Sequence, residues 1–504
     1  MDMKNIYKMT AALIQYALDK DLLKAQDIIY TRNRIADYLQ IDGAQITVTA
    51  AEPIQSIGQL LADISQWAAR QNIIESATMP YSDLFETKLM ALIVPKPSSV
   101  ESDFWRRYEQ SAKSATDWFF DFSKSIDYVK VNSIAQNIVW QHATAYGAMT
   151  MSINLSKPEK DPKAIAAAAK MAQSNYPKCL LCKDNIGFAG HLNHPARQTL
   201  RTIDIKLNDE NWFIQYSPYA YYNEHMIAIK DEHTPMLVNG DTYRRLCDFV
   251  EYFPHYFIGS NAGLPIVGGS MLAHDHYQGG NYKMPIVDAT AYRDYAYSLF
   301  DTVKTTWLNW PLTTLRLQSE SRNDLILACT KLQNFWQDYS DSENSLIAHT
   351  DQPHHAITPI LRKRNGLYEM DMVLRSNLTS EQYPDGIYHP HPEIHPVKRE
   401  NIGLIEVMGY AILPGRLKQT CDDLARGLRD DVDFLDLPAS SAGFADIYDA
   451  LKRDYKGEDA AQCVRAIVAD TFVKGLEHAG VIANDAAGEA KMDKFISAFK
   501  SHKG

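Results

Sequence analysis

The sequence predicts an α+β fold in which helices and strands are segregated along the chain. Two observations carry this reading. Apolar residues recur at helical spacing over roughly the first 170 and the last 80 residues, whereas short runs of period-two alternation are confined to the middle. Helix and strand patterns therefore do not alternate regularly, as a doubly wound parallel sheet would require. Length is compatible with that class: 504 residues can bury a large core unaided, and they suggest about three domains.

Composition removes several function classes. The chain is 45% hydrophobic and 22% charged, ordinary for a globular protein, with a net charge of -11. A general binder of nucleic acid or of membrane surfaces needs surplus positive charge, so neither partner is expected. Six cysteines are too few for a disulfide framework. Cys247, Cys329, Cys421 and Cys463 stand alone and read as small buried apolar residues. The start, Met1-Asp2-Met3-Lys4, leads into an amphipathic stretch interrupted by Gln15, Asp19, Lys20 and Asp21, unlike a signal peptide. No uncharged apolar run approaches the roughly 18 residues of a membrane span. A reduced, cytoplasmic chain is expected.

Taken in order, Leu13, Ile14, Ala17 and Leu18 mark one face of a first helix. Pro95-Lys96-Pro97 breaks the chain, and Ser98-x-x-Glu101 predicts a capping box opening the next helix. Phe104, Trp105 and Tyr108, then Trp118, Phe119 and Phe122, read as a core stripe and not as a base-stacking platform. Ala164 to Ala172 predicts a small-residue helix ended by Asn175-Tyr176-Pro177. Strands are predicted at Thr202–Leu207, Trp212–Tyr216 and Met226–Ile229, followed by a glycine-rich loop at 263–270. A helical stretch near 291–340 precedes strands at Ala356–Leu361 and Tyr368–Leu374, and the acidic tail is helical. The expected regions are a helical 1–175, a catalytic 176–300, a second sheet-containing half at 301–420 and a helical 421–504.

The chemistry concentrates between Asn261 and Gly280. Gly263, Gly268, Gly269, Gly279 and Gly280 let backbone approach a ligand and aim amides at phosphate oxygens. His274 and His276 are two apart, so on extended chain both imidazoles share a face, which Gln278 continues. A neutral imidazole can attack phosphorus, splitting one transfer into two easier steps. A bare His-x-His is more often a metal site or a polar pair; the glycines and Gln278 favour the nucleophile. Cys179-Leu-Leu-Cys182 reads as a redox pair, a coincidence or half of a zinc site. The zinc reading needs two more ligands, among His191, His194, His225, His233 and His274.

The run Gly263-Leu-Pro-Ile-Val-Gly-Gly-Ser270, with His274-Asp-His-Tyr-Gln278-Gly-Gly after it, resembles the active-site motif of galactose-1-phosphate uridylyltransferases. The form is that of their type 2 branch, in the histidine-triad superfamily, where Gln replaces the third His. Thr87-Lys-Leu-Met-Ala-Leu92, Pro95-Lys-Pro-Ser98, Asn193-His-Pro-Ala-Arg197 and Glu400 to Gly409 extend the similarity over nearly the whole chain.

The resemblance implies histidine-triad-like sheets and ping-pong exchange of a uridylyl group between UDP-glucose and galactose 1-phosphate. His276 would be the nucleophile and Gln278 the group that hydrogen-bonds the transferred phosphoryl. Ser270 and the amides of Gly263 and Gly269 would contact phosphate, with Asn261 beside them. By charge alone, Lys398 with Arg399, and Arg197, read either as partners for sugar phosphate or as solvated side chains. It also implies a structural zinc on Cys179, Cys182, His233 and His274, with no cofactor needed for the chemistry itself. A homodimer is compatible with it.

Other readings are a histidine-triad nucleotide hydrolase or phosphorylase, a metal-dependent hydrolase and a non-catalytic UDP-sugar-binding protein. Gln278 argues against the first, since a third His usually assists the leaving group. The second lacks a following Asp-His pair, because Tyr277-Gln278-Gly279 stand there. Intact His276 and Gln278 disfavour the third. Farther on, His354-His355 through Arg362 loosely resembles a degenerate second half, with Lys363 and Arg364 following it, and His389, His391 and His395 read as a metal site or, more readily, as surface-loop histidines between prolines.

Overall fold

The computed structural model describes residues 3–48, 54, 56–156, 175–268 and 271–502. The predicted helix at Ala164–Ala172 lies outside them. Two compact units emerge, one of Met1–Gln136 with Ser156–His233 and one of Asn137–Leu155 with Thr234–Gly504. Both helix and strand are abundant, and the class is α+β as expected.

The first unit opens with six helices, α1 (Met3–Asp19), α2 (Ile28–Leu39), α3 (Ile57–Arg70), α4 (Tyr81–Ala91), α5 (Pro97–Tyr108) and α6 (Ala112–Ser125). Ile6, Met9, Leu13 and Ala17 are buried on α1, the three-to-four spacing that gives a helix one apolar face. Ser56 and Ser111 cap α3 and α6 by accepting from the amides of Gln59 and Ser114. The predicted capping box at Ser98 does not form. Pro97, preset for a first helical turn, starts α5 two residues before a Ser98 cap would, and the Glu101 carboxylate accepts from the Asp204 amide instead. The aromatic stripe is core, as expected: Phe104 meets Phe119 edge to face at 5.7 Å, and Phe119 packs on Tyr216 at 5.3 Å. Tyr216 belongs to an antiparallel meander.

That meander is β3 (Ile203–Leu207), β4 (Glu210–Tyr216) and β5 (Met226–Lys230), close to the predicted strands. Before it the chain forms β1 (Ile138–Thr144) and β2 (Gly147–Asn154) of the second unit, so the first 170 residues are not uniformly helical. Alternating burial along β1 shows the cause: Trp140, His142 and Thr144 share one face while the residues between them point away. β2 also pairs in parallel with β13 (Tyr410–Pro414).

The second unit orders its other strands β7-β6-β11-β12-β10-β9-β8, every neighbour antiparallel. These are β6 (Phe257–Gly259), β7 (His276–Gly280), β8 (Ala291–Phe300), β9 (Val303–Leu308), β10 (Thr314–Ser319), β11 (His355–Arg364) and β12 (Leu367–Ser376). The predicted helix near 291–340 is corrected, because helix occupies only Arg322–Asp338. Upstream, Thr305, Thr306, Trp307, Thr314 and Leu315 are β-branched or bulky residues that suit a packed, pleated surface, and cross-strand pairing holds them extended. The helices Leu417–Arg429, Ala445–Asp454, Ala460–His478 and Ala486–Ser501 bear out the helical tail. Among the described residues no helix is long and apolar enough to cross a membrane.

Candidate active site

β7 begins at His276, so strand alternation carries His276 and Gln278 to one face. His274 precedes the strand in a bend, outside the alternation argued from extended chain. His274 and His276 are both buried. His276 Nδ1 lies 2.8 Å from the His274 carbonyl oxygen. A carbonyl only accepts, so Nδ1 carries the proton and Nε2 keeps its lone pair. Burial, the largest influence, lowers the His276 pKa and favours this neutral form. Tyr277, between His276 and Gln278, faces the other way, where its hydroxyl accepts from Arg245 at 3.2 Å; the same guanidinium reaches Asp275 at 3.5 Å.

Two glycines are required by contact. A Cβ on Gly268 would sit 2.2 Å from the Ala262 carbonyl oxygen, and one on Gly279 would sit 2.4 Å from that of Phe257. Gly263 is less constrained, its nearest neighbour being the Met236 carbonyl oxygen at 3.4 Å. Gly269 and Ser270 lie outside the described residues. Ile266 holds a φ of 73°, a left-handed conformation that is costly for a β-branched residue.

Three asparagines brace this strained loop. Asn261 Oδ1 accepts from the Leu404 amide at 2.9 Å, Asn377 donates to the Pro265 carbonyl at 3.4 Å, and Asn401 donates to that of Gly268 at 3.5 Å. Each of the last two also holds a histidine: His354 Nδ1 is 2.8 Å from Asn377 and His389 Nε2 is 3.2 Å from Asn401. Asn377 escapes sequence reading because a single asparagine far from the motif carries no pattern, and Asn401, though inside the Glu400–Gly409 run, gives no local sign of its contact with Gly268. His389 is not a surface residue: it is 4% exposed. His391 stacks between Tyr383 and His478 at 4.0 and 4.1 Å, so that proline-punctuated loop is packed by ring contacts.

Lys398 is buried against Glu406, 2.7 Å away, which also accepts from the Gly403 amide. Arg197, in the first unit, donates to the Ala196 carbonyl at 3.1 Å.

The first unit also gathers sulfur and nitrogen donors. Cys179 Sγ is 3.6 Å from Cys182 Sγ, which is 3.1 Å from His233 Nδ1. Tetrahedral zinc with bonds of ~2.3 Å sets its sulfurs about 3.8 Å apart, so this donor set fits the metal. Asn185 fastens the turn by donating to the carbonyls of Cys179 and Cys182, both at 2.8 Å. Burial and then Cys179 push the Cys182 thiol up to about 11, so metal binding there would displace a proton. The Cys/His cluster can hold a metal ion.

Residues 21–235 match the family model for the N-terminal domain of galactose-1-phosphate uridyl transferase, and residues 249–434 match that for the C-terminal domain. A galactose-1-phosphate uridylyltransferase of Halalkalibacterium halodurans is 43% identical over 504 residues, covering 99% of each chain. Proteins of the same name from Bacillus subtilis and Streptococcus thermophilus are 44% and 43% identical, covering 96% of both chains and 93% and 94% respectively. Two domain models that together reach from residue 21 to 434, and relatives matched almost end to end, leave one assignment: the chain belongs to the galactose-1-phosphate uridylyltransferase family.

Proposed function

We propose that this chain, a nucleotidyltransferase, exchanges a uridylyl group between UDP-glucose and galactose 1-phosphate through a covalent uridylyl-His276. The observation that carries the reading is the His276–His274 hydrogen bond, which leaves the Nε2 lone pair available in a buried site beside a glycine-rich loop. In the first half-reaction an Nε2–P bond forms and the bond from phosphorus to the glucose 1-phosphate oxygen breaks. In the second, a phosphate oxygen of galactose 1-phosphate attacks the same phosphorus, UDP-galactose leaves and the imidazole regains its lone pair. Family names favour transfer over hydrolysis, metal-dependent hydrolysis or mere binding.

Gln278 stabilises the transferred phosphoryl by hydrogen bonding, and the amides of Gly263 and Gly269 with Ser270 position its oxygens. Asn261 acts by tying its loop to Leu404. Lys398 and Arg197 are assigned to sugar-phosphate contact by their positive charge. Zinc, held by Cys179, Cys182 and His233 with His274 as the fourth ligand, supplies a structural cross-link and no chemical step. A cytoplasmic location and a homodimer complete the reading.

Intact-mass measurement after mixing with UDP-glucose alone tests it, with His276→Ala as control. A uridylyl-sized adduct in the parent only, discharged as UDP-galactose by galactose 1-phosphate, is expected. Saturating UDP-glucose with no adduct after an acid-free quench overturns it.

A further inference from the structure

The residue before His276 and the residue after it both reach one side chain on the far side of β7. That side chain is Arg245, on the helix Gly240–Tyr252, whose start is fixed by an Asn239 capping box. Arg245 Nη1 donates to the Tyr277 hydroxyl at 3.2 Å and to Asp275 Oδ2 at 3.5 Å. Arg245 and Asp275 are buried, and Tyr277 is completely so. Separating a buried guanidinium from its carboxylate leaves two unpaired charges, so this contact resists displacement.

The same segment fixes the carbonyl that sets the His276 tautomer. The His274 carbonyl and the Asp275 amide belong to one planar trans peptide group, so its C=O and N–H point in opposite directions. The Asp275 N–H donates to the Thr234 carbonyl at 2.7 Å. The His274 C=O, directed the other way, accepts from His276 Nδ1 at 2.8 Å. Rotating that peptide would break both bonds together. Its Asp275 end carries the side chain that Arg245 holds, and Tyr277 anchors the chain just beyond His276 to the same nitrogen.

We propose that Arg245 is a positioning residue for the transfer: by holding Asp275 and Tyr277 it fixes the backbone on both sides of His276 and keeps the Nδ1–H bond, and with it the direction of the Nε2 lone pair. The inference rests on His276 being the nucleophile, as proposed above. Arg245 acts through its two partners, from the face of β7 opposite Gln278. An attacking atom that is aimed correctly lowers the barrier without tightening the bound substrate, so the effect falls on kcat and not on UDP-glucose affinity.

Single-turnover uridylylation of the full chain at saturating UDP-glucose, read by rapid-quench intact mass, tests this. Tyr277→Phe is the decisive variant, because it removes one contact and leaves the Arg245–Asp275 pair in place. Arg245→Lys keeps a positive charge near Asp275 and gives up the reach and planar fork of the guanidinium. Each should form the adduct at least about tenfold more slowly, with UDP-glucose affinity within about twofold of the parent. The double variant should be slower than the slower single by no more than about twofold, since both changes cut one link. Nitrogen-15 spectra at neutral pH without substrate should show a share of Nε2-protonated His276 that the parent lacks. Leu246→Ala, fully buried on the same helix, is the control: it should lower Tm and leave the adduct rate unchanged. Adduct rates within about twofold of the parent in both variants overturn the proposal. So does a loss that Leu246→Ala reproduces, or one accounted for by weaker UDP-glucose binding. No adduct in the parent itself would instead count against the transfer reading; the substrate-free spectra would then decide the role of Arg245, and an unchanged tautomer in both variants would overturn it.

Discussion

His276 Nδ1 donates to the carbonyl oxygen of His274 across 2.8 Å, so the tautomer of the proposed nucleophile is set by backbone only two residues before it. No charged partner is needed, because a carbonyl can serve only as acceptor. Nitrogen-15 spectra of histidine-labelled protein at neutral pH should show His276 protonated at Nδ1 and bare at Nε2. The opposite tautomer would leave Nε2 without its lone pair and would remove the basis for attack.

Gln278 shares the His276 face of β7 and offers an amide where a third histidine would stand in other triads. Gln278→Ala should lower kcat by about 10²- to 10³-fold, the usual cost of losing one donor to a charged transition state. Uridylyl transfer to His276 should slow but remain visible in rapid-quench mass measurements. Unchanged kcat would remove Gln278 from the mechanism.

The Cys179–Cys182–His233 cluster gives a metal prediction. Purified chain should carry about one zinc, read by elemental analysis, and Cys182→Ser should lose it, since three remaining donors leave a structural site open. Chelation of the parent should lower its Tm. Full occupancy in Cys182→Ser would place the metal elsewhere.

His355 stacks on Trp336 with ring centres 3.9 Å apart, and its Nδ1 lies 3.0 Å from the Trp336 carbonyl oxygen. Burial lowers its pKa to about 4. An unfolded histidine titrates near ~6.5, so between these values the unfolded chain binds a proton that the folded chain refuses. The group's contribution is therefore intact above ~6.5 and falls with pH towards about 4, by at most on the order of 3 kcal/mol. Urea unfolding across that range should show the loss, and His355→Phe should flatten it relative to the parent. Equal acid sensitivity in both would show that other groups dominate.

Much of the fold could be read from the sequence where periodicity was strong. The α1 face, the β3–β5 meander and the β11–β12 pair follow directly from which positions are apolar. The reading erred at Ala291–Ser319, where pairing between distant segments stabilises strands that local pattern does not specify. It erred at Ser98 too, where a proline one residue earlier won the helix start. His389 was misread for a related reason: flanking prolines suggest a loop, yet they do not say whether that loop is covered.

The sequence by itself determined which residues make up the proposed reactive cluster, because His276, Gln278 and the glycines lie within one short run whose chemistry depends on local spacing. Gln278 reaches the face of His276 simply by being two residues further along a strand. Only the tertiary structure decided how the glycine loop is held, through Asn261, Asn377 and Asn401, and that Lys398 is paired with Glu406. It also decided that Arg362 is paired with the buried carboxylates of Glu369 and Asp371, the second shared with Arg316. Spacing encodes what neighbours along the chain can do together; the loop's hydrogen bonds are set by residues that folding brings together from a hundred or more positions apart, and charge balance by pairing across turns and adjacent strands that spacing alone does not specify.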